Sequence, residues 1–142
     1  MNQEAFDIYM ICAAALFFNL VFLVVATGAR RSKAKVFVNP EDAETFKGKH
    51  EPDEDIAVKR ALAAHRNALE NIPIFLILGL AHVMSGATKT SAIAYFVTFT
   101  VARWLHSIFY LRGMQPWRSA IFTVGFFATL GLAVRLLVTA LT

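Results

Sequence analysis

The chain has 142 residues, 57% hydrophobic and only 17% charged, with a mean hydropathy of +0.54. That is too apolar for a water-soluble domain of this size and describes an integral, multi-pass membrane protein. The net charge of +4 would raise nucleic acid as a partner, but the positive residues sit beside the apolar stretches, where membrane orientation explains them, so no nucleic-acid partner is expected.

Apolar stretches lie at about 8–29, 62–84, 91–111 and 117–140. Each comes near the roughly 20 residues that cross about 30 Å of hydrocarbon. The expected fold class is therefore all-α, a membrane four-helix bundle forming a single domain over 1–142, with residues from about 30 to 58 as a cytoplasmic loop. The first stretch has Glu4 and Asp7 before it and Arg30, Arg31, Lys33 and Lys35 after it, the reverse of a secretory signal's charge order, so it is read as a retained helix. The single cysteine, Cys12, permits no intrachain disulfide and has no partner for a metal site, so no metal is expected. In the loop, Asn39-Pro40 marks a turn, and Lys47 to Asp55 is a mixed-charge run. That run is read as solvated, with Asp53, Glu54 and Asp55 placed to neutralise nearby basic residues or to favour the positive end of the next helix.

The second span is the most informative. The run Ile72 to Leu80 is too short to cross alone, so the preceding turns enter the membrane with their charges. An ionisable group at a helix centre costs roughly 2.5–3.5 kcal/mol on insertion scales. Arg66, Asn67 and Glu70 share one flank of this helix by their spacing, either as an internal salt bridge that lets the helix insert or as part of a site. In the third span Arg103, His106 and Tyr110 form a second polar stripe. A packing role for His106 and interfacial positions for Trp104, Tyr110 and Trp117 are the plainer readings. The fourth span opens with Pro116 and then carries Arg118, Ser119 and Thr123, while Arg135, near its far end, is expected to snorkel to the headgroups. His82 and His50 carry no signal.

Lysine and arginine favour the first and third connections over the second, which holds only Lys89, so the first and third should be cytoplasmic and both termini on the opposite side. The polar clusters then converge at one membrane depth, making a basin suited to a small anionic ligand.

Three separated segments carry a resemblance: Val36-Phe37-Val38-Asn39-Pro40-Glu41-Asp42, the stretch Val58 to Asn71, and Arg103-Trp104-Leu105-His106-Ser107-Ile108-Phe109-Tyr110. In this order they resemble the MAPEG family, membrane-associated proteins of eicosanoid and glutathione metabolism, and within it the branch of microsomal glutathione transferase and microsomal prostaglandin E synthase. The resemblance implies a homotrimer binding glutathione at subunit interfaces near the cytoplasmic side. By the same resemblance Arg31 would reach glutathione from a neighbouring subunit. Arg66, Asn67 and Glu70 match contacts of the second helix, with Glu70 suited to the ammonium group and the arginine to a carboxylate. His106 and Tyr110 match those of the third helix. Arg118 and Ser119 match the catalytic pair beside the thiol, with Arg118 favouring the thiolate and Ser119 donating to the sulfur. Ala63 stands where the branch often has arginine, and Phe122 where it often has an aromatic hydroxyl. Pro73 follows Glu70 by three residues rather than four, and the segment Arg112 to Trp117 is one residue shorter than in the prostaglandin synthase.

The expected function is that of a membrane glutathione transferase acting on a lipophilic electrophile, with reduction of a lipid hydroperoxide as a related activity. The alternatives are a glutathione-dependent isomerase of the prostaglandin E synthase kind, for which Asp42 matches an acid, a non-enzymatic lipid-presenting scaffold, and a small channel or transporter. Membrane lipid is a partner on each of these readings. The host membrane is the endoplasmic reticulum for a eukaryotic chain and the inner membrane for a bacterial one.

Overall fold

The structure is a computed structural model of the chain and describes residues 2–142. It is a bundle of four helices long and apolar enough to cross a membrane: α1 (Gln3–Ala34), α3 (Ile56–Met84), a third span over Lys89–Arg112, and α6 (Trp117–Leu141). The third span joins α4 (Lys89–Ala92) to α5 (Thr98–Arg112) through a π-helical turn at Ile93–Val97.

α1 and α3 run beyond their apolar stretches, and their caps explain how. Asn2 accepts from the Ala5 N–H at 3.2 Å to start α1, and Arg31 and Lys33 occupy its last turn, where cations suit the helix dipole. Asp55 accepts from the Ala57 N–H at 2.8 Å to start α3 six residues before its apolar stretch. With 32 residues α1 is about 48 Å long at 1.5 Å per residue, well over the hydrocarbon thickness, so its charged end stands clear of the acyl chains.

The connection between the first two spans is more ordered than a solvated loop. Strands β1 (Val36–Phe37) and β2 (Lys49–His50) pair in parallel, and the short helix α2 (Pro40–Thr45) makes the crossover. Pro40 begins α2 with its φ already helical. The buried Phe37 ring stacks on Phe46 at 5.6 Å and seals the unit. Gly48 makes the return possible: a Cβ there would lie 2.5 Å from the Phe37 ring and 2.7 Å from the Lys35 carbonyl oxygen. Three acids of the charged run, Asp53, Glu54 and Asp55, have partners. Glu54 pairs with Arg31, Asp53 with Lys59, and Asp55 caps α3. The Lys59 ammonium holds the exposed Asp53 carboxyl below the usual carboxylate range.

Inside the bundle α3 presents Ala61, Ala64 and Ala68, small residues at helical spacing that let neighbouring backbones approach. Above them the rings of Phe75 and Phe99 stack nearly parallel, 3.7 Å apart, with Phe96 edge-on to Phe75. Polar ties between helices add direction. Trp104, expected at the lipid interface, is partly buried and donates its indole N–H to the Ala15 carbonyl at 3.1 Å. Ser107 donates to Asn19 at 3.1 Å, and the Tyr9 hydroxyl to the Leu76 carbonyl at 3.1 Å.

Because Phe75 is buried against Phe99 whereas Phe127 faces outward, Phe75→Ala should destabilise the protein by about 3 kcal/mol and Phe127→Ala hardly at all. Thermal unfolding of the two variants in one detergent measures the difference; equal melting temperatures would contradict the packing described here.

Candidate functional site

The C-terminal ends of α1 and α5 and the N-terminal ends of α3 and α6 lie together at one end of the bundle. Arg30 of α1 donates to the Leu111 carbonyl of α5 at 3.5 Å, and the Arg60 guanidinium of α3 lies against Gly113, just after α5. Two cavities open at this charged end. The larger, about 470 Å³, is lined by Lys59, Leu62, Ala63, Arg66, Asn67, Glu70 and Tyr110. The smaller, about 270 Å³, is lined by Asn67, His106, Tyr110, Arg118, Ser119, Phe122 and Thr123. Asn67 and Tyr110 belong to both, so the cavities adjoin.

Arg66 and Glu70 do not form the internal salt bridge that their spacing allows. The ion pairs among the described residues are Arg31 with Glu54, Lys59 with Asp53 and Lys89 with Glu4. Both side chains are exposed and line the larger cavity, which leaves their charges available to a ligand. Behind them Arg103 is only 1% exposed, and its Nη2 donates to Asn67 Oδ1 at 2.5 Å. No carboxylate pairs with Arg103 among the described residues, and its Nε has no partner. An unpaired buried cation is costly in a low-dielectric interior.

His106 is buried, yet it is not hydrogen-bonded as a packing histidine would be. Its Nδ1 has no partner, and its ring lies edge-on to Tyr110 at 5.5 Å and beside Phe122 at 5.7 Å. Tyr110 does more than sit at the membrane interface, because the Arg118 guanidinium lies over its ring, 4.3 Å from the centroid. Arg118 is held on its other side by Gln115. A guanidinium has only donors, so the Gln115 amide oxygen must face it, at 2.5 Å from Nη2 and 3.2 Å from Nε. In that orientation the Gln115 amide nitrogen donates to Ser119 Oγ at 3.1 Å and leaves the hydroxyl proton free for another acceptor.

Of the residues picked from the sequence, Arg66, Asn67, Glu70, His106, Tyr110, Arg118 and Ser119 come together here. Arg31 does not. It lines separate cavities of about 380 and 300 Å³ with Phe37 and Asp42, none of whose lining residues is shared with the main site. Spacing puts Arg103 in the polar stripe of the third span without giving it a role in the site, and Gln115 carries no charge to mark it. The clue to Gln115 was its spacing, three residues before Arg118 and four before Ser119 across the first turn of α6.

Residues 9–138 match the model of the MAPEG family. The chain belongs to the MAPEG family. Microsomal glutathione S-transferase 1 of Sus scrofa is 39% identical to this MAPEG chain over 143 residues, covering 96% of this chain and 92% of the relative. The Homo sapiens protein of the same name has the same identity and coverage. Prostaglandin E synthase of Bos taurus is 34% identical over 125 residues, covering 87% of this chain and 82% of the relative. With its four spanning helices, this MAPEG chain is an integral multi-pass membrane protein.

Since neither Arg66 nor Glu70 is tied into an ion pair, Arg66→Gln and Glu70→Gln should each change the stability of the ligand-free protein by less than about 1 kcal/mol. Thermal unfolding without ligand checks this, and a large loss in either variant would restore the internal salt bridge.

Proposed function

We propose that the chain is a membrane-embedded glutathione transferase that joins glutathione to lipophilic electrophiles, with reduction of lipid hydroperoxides as a related reaction. The carrying observation is the charge inventory of the two adjoining cavities. Arg66, Arg103 and Arg118 supply three guanidinium groups on or just behind the walls, against a single carboxylate, Glu70, while Lys59 in the same wall is already paired with Asp53. Glutathione in its reactive form has two carboxylates, a thiolate and one ammonium group. The two sets complement each other in sign, with positive groups in excess in the site and negative groups in excess on the ligand. The relatives named microsomal glutathione S-transferase 1 support the same reading.

On this reading each side chain has a task. Glu70 receives the ammonium, and Arg66 a carboxylate. Arg118, clamped between the Tyr110 ring and Gln115, faces the sulfur at the N-terminal end of α6, where both the guanidinium and the helix dipole favour thiolate over thiol. Ser119 donates its free proton to the sulfur and holds it in place. The thiolate forms the C–S bond to the electrophile's carbon, and the leaving group departs with its electron pair. The apolar second substrate arrives from the lipid beside Phe122. Arg31 completes the site from a neighbouring subunit of a homotrimer, which accounts for its separation within one chain. For a eukaryotic chain the membrane is the endoplasmic reticulum, in keeping with the word microsomal in the relatives' name.

A glutathione-dependent isomerase is the second reading, supported by the relatives named prostaglandin E synthase and by Asp42, which lines the Arg31 cavity. Incubation with glutathione and a chlorinated nitrobenzene should yield the conjugate, and incubation with a prostaglandin endoperoxide should yield little isomerised product; the reverse outcome favours the isomerase. Arg118→Ala should lower the thiolate absorbance of bound glutathione and reduce turnover about 10- to 100-fold, the scale of a hydrogen bond to a charged group, while affecting affinity less. An unchanged thiolate spectrum would remove Arg118 from that role.

A further inference from the structure

Asparagine is ambivalent: its side chain offers an acceptor oxygen and a donor nitrogen, and a half-turn exchanges them. At Asn67 the choice is removed. Arg103 has five N–H donors and no acceptor, so only the amide oxygen can face it, and the 2.5 Å contact from Nη2 to Oδ1 fixes the amide. Arg103 has no alternative that would release it. It is fully buried, its stem runs beneath α6 where a Cβ at Gly125 would lie 3.9 Å from its Cδ, and no carboxylate pairs with it among the described residues. The Asn67 amide nitrogen donates to nothing among the described residues, and the residue lines both cavities.

We infer that Arg103 is a positioning residue that makes Asn67 an obligate donor, so that the part of the ligand meeting Asn67 is an acceptor, a carboxylate or a peptide carbonyl, and never the ammonium group. This rests on the proposed binding of glutathione and adds a polarity to it. The ammonium is directed to Glu70, about one turn along α3, and glutathione can enter in only one sense. The unpaired charge of Arg103 also polarises the amide and strengthens its outward N–H, so a cation outside the cavities acts on a ligand it does not touch.

The sign of one substitution tests this in the purified full-length protein. Asn67→Asp keeps an oxygen for Arg103 and so preserves the bundle, but it removes the proton offered to the cavities. Glutathione affinity, measured by calorimetry in detergent, should fall about 10- to 100-fold, the worth of a hydrogen bond to a charged group. Equal or tighter binding would overturn the inference, because it would mean that Asn67 presents its oxygen to the ammonium. A double-mutant cycle tests the role of Arg103. Arg103→Met and Asn67→Ala should each weaken binding about 10-fold, with the double variant no worse than either, whereas additive losses would show that Arg103 does not act through Asn67. Arg103→Lys, which keeps one donor, should recover part of the loss. If Arg103→Met fails to elute as a folded species, the sign of the Asn67→Asp effect decides alone. A wild-type protein that binds no glutathione would overturn both this inference and the function on which it rests, while wild-type binding with tighter Asn67→Asp binding would overturn this inference only.

Discussion

A guanidinium buried in an apolar bundle has to find oxygen, and Arg103 finds one, the side-chain amide of Asn67. Much at the charged end follows from that contact. It ties α5 to α3 at the point where both cavities meet, and it carries a positive charge to the back of the site without spending a carboxylate on neutralising it. A neighbouring aspartate would have made the bundle easier to assemble, because removing the partner of a buried charge typically costs several kcal/mol. It would also have cancelled the potential that attracts an anion. In its absence the bundle retains an electrostatic debt that a bound anion can relieve.

The rest of the architecture keeps that arrangement rigid at one end and apolar at the other. Stacked Phe75 and Phe99, with the small alanines of α3 below them, fix the separation of α3 and α5 and hence the distance from Arg103 to Asn67. The first turn of α6 is held from two sides, by the Tyr110 ring against Arg118 and by Gln115 against both Arg118 and Ser119. A long side chain such as arginine loses rotamer freedom when it is ordered, and these contacts meet that cost before any ligand arrives. The β1–α2–β2 excursion serves the same end of the molecule. Glu54, in the link from β2 to α3, holds Arg31 at the end of α1, outside the main site of its own chain.

The sequence was most legible where spacing alone determines proximity. Arg66, Asn67 and Glu70 lie on one face of any helix that contains them, and the apolar stretch after them made the helix unavoidable. What spacing could not decide was whether Arg66 and Glu70 close on each other, since that depends on rotamers chosen by neighbours on α5 and on the open cavity. The order in 36–50 was hidden for a related reason. Gly48 reads as an ordinary loop glycine until the Phe37 ring and the Lys35 carbonyl are seen to occupy the space of its Cβ. The early start of α3 was missed because apolarity marks where a helix meets lipid, while the Asp55 cap marks where the helix begins. Trp104 and Tyr110 read from composition as interfacial aromatics, and spacing alone could not show the tertiary contacts that each makes in addition.

On the proposed function, the separation of Arg31 from the main site bears on how two unlike substrates would meet. On that function an anionic peptide would reach the polar cavities from the water at the charged end, and an apolar substrate would reach the smaller cavity from the lipid, past Phe122 in its wall. The two routes would meet at Arg118 and Ser119, which line the smaller cavity. In the proposed homotrimer a neighbouring subunit's Arg31 would add a further guanidinium to the polar side of this site. On that reading the sulfur is activated by groups already held in place, so the lipophile meets a nucleophile that needs no further assembly.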